Sequence, residues 1–394
     1  MNDLLLDRLN KPINNNRSAF IHEVEASLAT TVGVIRKENE DRAIVTRFYS
    51  SKLDAFLYCY ILSDGMGGMA SGGLAATLTI TEFLVTITEK IEDGFGIEQA
   101  IKAAVHSANE KVTNTLNYKG GATLSAVITY KPNEIFYVNV GDSRIYECTS
   151  DNSIFQITED DDIKNLIKKL EGIEINSLIA QRNGLTKFIG MEGELDINVE
   201  IYYGTSDFFI TSDGISNIGS TNLIRLYAGI SSSNDFVQRC IHLANWFGGI
   251  DNSTAIYIST SKLSYEKSDS SIIKDVIEIW DFQGYSVFPI SLLKVEKKDS
   301  TSKTKKTKKT KAKAKAIEKE KEKDLNFDNK NKKEQNELFI TGPVTLIDKY
   351  ELTKASDLIK DSHPDKKEKN LDQTSNETKT NIFKDISDSK NNEN

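Results

Sequence analysis

Thr123-Leu-Ser-Ala-Val-Ile-Thr-Tyr130 and Ile135-Phe-Tyr-Val-Asn-Val140 are two runs of β-branched, aromatic and small residues joined only by Lys131, Pro132, Asn133 and Glu134. Four turn-forming residues close a hairpin, whereas a parallel crossover needs about a dozen or more. The sheet built from these runs is therefore at least partly antiparallel. Further apolar runs at Phe56–Leu62, Phe208–Thr211 and Thr254–Ile258, each bounded by Gly, Asp, Asn or Ser, predict more strands. Between them lie helical periods. Ile97, Ile101, Ala104, Val105, Ala108, Val112 and Leu116 recur at three and four, as do Phe236, Val237, Cys240, Ala244 and Phe247 behind a Ser/Asn/Asp cap region. Strand runs interrupted by amphipathic helices, without strict βαβ alternation, read as an α+β layered domain.

The chain has 394 residues, of which 38% are hydrophobic, and the apolar deficit lies after about residue 296. There Lys, Asp, Glu, Asn, Ser and Thr dominate, a composition that cannot offset the entropy of ordering. A disordered tail is expected over 299–394. Within it, Lys303–Lys315 holds eight lysines in thirteen residues, and 338–346 forms a short apolar island. The lysine run is either a solvated linker or a polycation that docks an anionic partner. Net charge is -8, from 58 acidic and 50 basic residues, which argues against the whole chain being a nucleic-acid binder. No apolar run approaches the roughly 18 residues that span a bilayer. Cys59, Cys148 and Cys240 are odd in number and include no C-x-x-C pair, so neither a disulfide framework nor a thiolate zinc site is expected. A cytoplasmic monomer is the expectation.

The aspartates carry the chemistry. Asp64, Asp142 and Asp213 each follow an apolar strand run within three residues and beside a glycine. Glu40 and Asp41 precede the run Ala43–Val45, and Asp251 precedes Thr254–Ile258. In antiparallel neighbours one strand ends beside the start of the next, so these positions are expected to converge on one rim of the sheet. Clustered carboxylates raise one another's pKa unless a cation is present. All-oxygen ligation selects hard cations, Mg²⁺ or Mn²⁺. A strand-end aspartate is by itself ordinary turn chemistry; five such positions together are not.

The strings Gly33-Val-Ile-Arg36-Lys-Glu-Asn39-Glu40-Asp41-Arg42, Asp64-Gly-Met-Gly-Gly68, Val140-Gly-Asp-Ser-Arg144, Thr211-Ser-Asp-Gly214 and Asp251-Asn252-Ser-Thr254 resemble, in order and spacing, the motif series of the metal-dependent protein phosphatase 2C family. Asn183, Leu185, Thr186 and Gly190 resemble a further short motif of that family. The resemblance covers roughly residues 26–259. It implies a sandwich of two antiparallel β-sheets flanked by helices on both sides, hydrolysing phosphoserine and phosphothreonine by a water activated at two Mn²⁺ or Mg²⁺ ions. By the same resemblance Asp64 bridges both ions, the Gly65 carbonyl ligates one, Asp213 and Asp251 hold the other, and Glu40 and Asp41 stand in or just behind the ligand shell. Asp142 with Asp213 resembles the site of a weaker third ion, and Arg36 the residue that grips the substrate phosphate. The implied partners are phosphorylated proteins and a cognate Ser/Thr kinase.

Departures from the pattern are Met66 where many members carry a His proposed as general acid, Ala122 in Gly121-Ala122-Thr123, Gly73 in place of Glu, and Asp161 in place of a frequent His. None removes an implied ligand. The expected layout is an N-terminal segment at 1–19, a catalytic domain at 20–262, an apolar extension at 263–298 that docks as a helix and strand, and the tail. The competing reading is a non-catalytic scaffold that binds a phosphoprotein or kinase. A dinucleotide fingerprint at Gly65–Ala70 is disfavoured, because the next strands form a hairpin rather than a parallel unit.

Overall fold

A computed structural model describes residues 2–66, 71–169, 184–265 and 275–292. The chain divides into units Met1–Lys308 and Lys309–Asn394, and all described residues belong to the first. Asn183, the glycines at 67 and 68, the lysine run and the apolar island lie outside the described residues.

Two antiparallel sheets form the centre. The six-stranded sheet contains β1 (Arg17–Ile21), β2 (Ala26–Thr31), β7 (Arg144–Cys148), β8 (Ile154–Gln156), β10 (Asp207–Thr211) and β11 (Ser253–Ile258), in the order β1-β2-β11-β10-β7-β8. The seven-stranded sheet contains β3 (Arg42–Ser50), β4 (Ala55–Ser63), β5 (Leu124–Lys131), β6 (Glu134–Val140), β9 (Val199–Tyr202), β12 (Val276–Asp281) and β13 (Gly284–Pro289), in the order β13-β12-β3-β4-β5-β6-β9. The hairpin expected at 123–140 is present, with Leu124 opposite Val140 and Thr129 opposite Ile135.

Strand β4 shows why its sequence is a continuous apolar run rather than an alternating one. Side chains on a strand point to opposite faces in turn, so a strand covered on both faces is apolar throughout. Tyr58, Tyr60 and Leu62 pack between the sheets with Leu28, Phe208, Ile210 and Ile256. Leu57, Cys59 and Ile61 pack on the other face against Phe83, Ile87, Ile101 and Val105. Those four belong to α2 (Gly72–Glu92) and α3 (Ile97–Leu116), which cover the seven-stranded sheet. Helix α4 (Ile163–Lys169) is short and carries no buried residue. On the outer face of the six-stranded sheet, Ala29, Phe209, Ala255 and Tyr257 meet α5 (Asp213–Ser216), α6 (Ser220–Ala228) and α7 (Ser233–Trp246) through Ile215, Leu223, Phe236 and Cys240.

Helix α2 is rich in β-branched residues, which favour strands. It folds as a helix because it is buried, and three of its threonines find partners inside it. Thr77, Thr79 and Thr88 hydroxyls donate to the carbonyls of Gly73, Ala75 and Leu84, each four residues earlier.

The extension after the catalytic motifs differs from the helix and strand expected of it. It forms the hairpin β12–β13, turning at Phe282 and Gln283, and β12 pairs with β3 at the edge of the seven-stranded sheet. The reason is a period of two: Ile277 and Ile279 face the helical layer, whereas Trp280 joins the core between the sheets. Helix α1 (Asn2–Leu9) fastens this hairpin. Leu5 and Leu9 are buried in the helical-layer core, and Arg8 donates to both Asp281 oxygens at 2.7 and 2.8 Å, to Ser286 Oγ and to Gly284 O.

The Asp281 side chain is only 2% exposed. Removing one partner of a buried ion pair strands the other, at a cost of about 3 kcal/mol. Asp281→Ala is accordingly expected to lower unfolding free energy by that order in urea titration; a change within about 0.5 kcal/mol, the usual range for surface substitutions, contradicts the clasp.

Candidate active site

The strand ends put the acids together, but not on the rim of one sheet. Asp64 follows β4 of the seven-stranded sheet, whereas Asp213 follows β10 and Asp251 precedes β11 in the six-stranded sheet. Asp142 sits where the chain passes from β6 in one sheet to β7 in the other. The acids therefore gather at one shared end of the sandwich, because the hairpin argument describes neighbours within a sheet and says nothing of how two sheets stack.

Asp64 is at the centre. Burial pushes its carboxyl well above the ordinary value, and the charges of Asp41, Asp213, Asp142 and Asp251 push in the same direction. Burial raises Asp213 to about 7, helped by Asp142, Asp251 and Asp41. It raises Asp41 to about 6 even though hydrogen bonds from Thr254 and Ser212 oppose the shift. One buried oxygen on each, Asp41 Oδ1 and Asp213 Oδ1, has no hydrogen-bond partner. Buried lone pairs facing other carboxylates are costly for the protein alone and suit a hard cation. Among the described residues no three His, Cys, Asp or Glu side chains are already arranged as a finished ligand set.

Glu40 and Asp251 flank this centre. Glu40 is raised by burial, against the Gly73 amide, which donates to its Oε1 at 3.3 Å, and the charge of Arg36. Arg36 donates to Asp251 Oδ2 at 2.7 Å, with both side chains about one third exposed. Asp142 is raised by burial and by Asp160 and Asp162. Arg144 is held away from it in a bidentate pair with Asp160. Asp161 takes up the Gly141 amide at 3.1 Å, a backbone-bracing contact.

Sequence reasoning singled out the acids and missed the neutral groups that hold them. Thr123 Oγ1 accepts from the Asp64 amide at 2.9 Å and meets Ser143 Oγ at 2.8 Å, so one hydroxyl ties the end of β4 to the loop of Asp142. Ser212 donates its hydroxyl to Asp41 Oδ2 at 2.8 Å while accepting from the Thr254 amide. Asn252 Oδ1 accepts from the Glu40 amide, and its amide nitrogen donates to Val32 O and Glu38 O. The available signal was adjacency for Ser143, Ser212 and Asn252, each beside a motif aspartate; Thr123 lies far from any of them in the chain and had no such signal. Two glycines allow the crowding. A Cβ on Gly214 would lie 2.0 Å from Asn252 O, and one on Gly65 2.4 Å from the Gly72 carbonyl.

The sequence profile of the protein phosphatase 2C family matches residues 39–248, more than half of the chain. The chain belongs to the protein phosphatase 2C family. The match contains Glu40, Asp41, Asp64, Gly65, Asp142 and Asp213, while Arg36 and Asp251 lie just beyond its ends. A protein phosphatase 2C-type protein of Streptococcus pyogenes is 29% identical over 244 residues, covering 59% of this chain and 95% of its own length. Protein phosphatase PhpP of Streptococcus pneumoniae is 26% identical over 248 residues, covering 61% and 98%. The solved serine/threonine phosphatase of S. agalactiae superposes with a TM-score of 0.50 at 26% identity, over 60% of this chain and 98% of that one. The family is one of protein serine/threonine phosphatases, and this member is an enzyme of that class.

Two measurements test the site. Thr123→Val removes a buried acceptor from the Asp64 amide and is expected to cost about 1 to 3 kcal/mol of stability. The second is pH dependence in chelating buffer. With Asp41 near 6 and Asp213 near 7, the folded protein keeps protons that the unfolded chain releases near pH 4. That stabilisation is complete below about pH 4 and is lost as pH rises through about 6 to 7. The melting temperature should fall between pH 5 and pH 8, less steeply in Asp213→Asn; equal slopes contradict the assignment.

Proposed function

We propose that this phosphatase hydrolyses phosphoserine and phosphothreonine esters of proteins, with two Mn²⁺ or Mg²⁺ ions held by Asp64, the Gly65 carbonyl, Asp213 and Asp251. Glu40 and Asp41 stand in or directly behind that shell, and Asp142 with Asp213 offers a weaker third position. The observation that carries the reading is the full burial of Asp41 and the half-burial of Asp64 and Asp213 beside it, together with two buried, unpartnered carboxylate oxygens. When bound, hard divalent ions neutralise such a cluster, lower the pKa of water and polarise phosphoryl oxygens.

The chain's own groups divide the remaining work. Arg36 is exposed enough to reach a phosphoryl group, and its planar guanidinium can donate to two oxygens at once. Its present partner Asp251 keeps it aimed at the acidic end and raises its pKa despite partial burial, so it stays charged. Ser212, Thr254 and Asn252 hold Asp41 and Glu40 in place. Protein nucleophiles are not part of this reaction. Cys59 is buried on the helical face of β4 with its thiol pushed up to about 12, and Cys148 and Cys240 are likewise buried and raised. Water attacks in line, and no covalent phosphoenzyme forms. Met66, whose amide is fixed on Gly121 O at 3.0 Å, offers no acidic side chain beside Gly65, so protonation of the leaving alkoxide would fall to a water held at the metal site.

The full chain should release phosphate from a phosphothreonine peptide when Mn²⁺ or Mg²⁺ is added and not in chelator. Asp213→Asn should lose at least about 100-fold in kcat, and Arg36→Lys should lower kcat/KM by about tenfold or more. Metal-independent turnover, or full activity in Asp213→Asn, overturns the proposal.

A further inference from the structure

The loop before Arg36 and the loop before Asp251 are joined along a seam. The amides of Val34 and Ile35 both donate to Gly249 O, at 2.7 and 3.1 Å, and a Cβ on Gly249 would lie 2.7 Å from Val34 Cγ2. Behind the seam, the Asn245 side-chain amide donates to Thr31 Oγ1 at 3.1 Å. On these two loops Val34, Ile35, Phe247 and Ile250, with Trp246 at the end of α7 directly before the second loop, are 60% to 83% exposed. Single exposed apolar side chains elsewhere, such as Phe95 and Phe155, are ordinary; four large ones on two cross-bonded loops and a fifth at the adjoining helix end are not. Ile35 directly precedes Arg36, and Ile250 directly precedes Asp251, and these two charged residues are paired at 2.7 Å. Two of the exposed apolar residues thus adjoin, in the chain, the charged pair proposed to meet the phosphoryl group.

We infer that this surface binds the polypeptide segment flanking the phosphorylated residue of a protein substrate, and that it selects apolar or aromatic side chains there. The inference rests on the phosphatase reading and adds a sequence preference to it. A substrate anchored by its phosphoryl group at Arg36 brings its neighbouring residues within reach of Ile35 and Ile250, whose places in the chain adjoin the charged pair. Trp246 and Phe247 add broad, rigid aromatic area of the kind that dominates binding energy at interfaces. Energy gained away from the reacting centre is expressed in kcat/KM for the correct sequence. A second copy of the chain or a lipid surface seated here would cover Arg36 and Asp251, whereas a phosphopeptide delivers its phosphoryl group to them.

The test compares, with the full chain and Mn²⁺, two phosphothreonine peptides identical except for Leu and Phe or Ser and Gly around the phosphorylated residue. The kcat/KM ratio is expected to favour the apolar peptide by about tenfold or more, equivalent to one good apolar anchor. In Trp246→Ser/Phe247→Ser the ratio should fall towards one; because both side chains are exposed, the variant should keep its melting temperature. In the single variant Ile250→Ser the ratio should fall partway. Turnover of both peptides at equal efficiency by the wild type overturns the inference and leaves the phosphatase reading standing. A ratio unchanged in the double variant, with dimerisation or vesicle binding lost instead, also overturns it. Turnover of neither peptide removes the phosphatase reading and this inference with it.

Discussion

The structure depends on keeping mutually repelling carboxylates close together where one is fully buried and its neighbours are half-buried. Asp41, Asp64 and Asp213 share the end of a two-sheet sandwich, and burial drives each of them towards the neutral form. No protein would hold such a group by accident, since each buried, incompletely paired carboxylate costs free energy. The surrounding scaffold is built to bear that cost. Thr123, Ser143, Ser212, Thr254 and Asn252 fasten the acid-bearing loops through hydroxyl and amide contacts. Glycines at 65 and 214 remove the side chains that would force those loops apart.

The same constraint explains the architecture behind the site. A cluster assembled from β4, β6, β10 and β11 needs two sheets whose ends stay in register, and the core between the sheets supplies this. Tyr60, Leu62, Phe208, Ile210 and Ile256 interlock across the interface. Helices on both outer faces complete the burial. The hairpin β12–β13 and helix α1 extend the layer at the edge beside β3, the strand that begins immediately after Asp41.

Legibility from sequence varied with the range of the interaction. The hairpin at 123–140, the strand at 55–63 and the helix at 97–116 were plain from local pattern, because side-chain alternation and helical period are set within a few residues. The motif acids were plain for a related reason: each sits at the end of a strand whose apolar run marks it. The segment at 276–289 differs in part from the helix and strand expected of it, although the alternation of Ile277 and Ile279 against Trp280 carries the strand signal.

Sequence alone determined which residues could be acidic, which runs could be strands, and that the motif series resembles one phosphatase family. Tertiary structure alone decided that the acids meet at the junction of two sheets rather than on the rim of one. It also decided that Thr123 and Ser212 brace them, that Arg36 rests on Asp251, and that Val34, Ile35 and Ile250 share a seam. The physical reason is distance along the chain. Asp41 and Ser212 are separated by 171 residues and Arg36 and Asp251 by 215, and no local propensity specifies a contact at that range. Only the packing of the two sheets and the helices on them brings such residues within hydrogen-bonding reach.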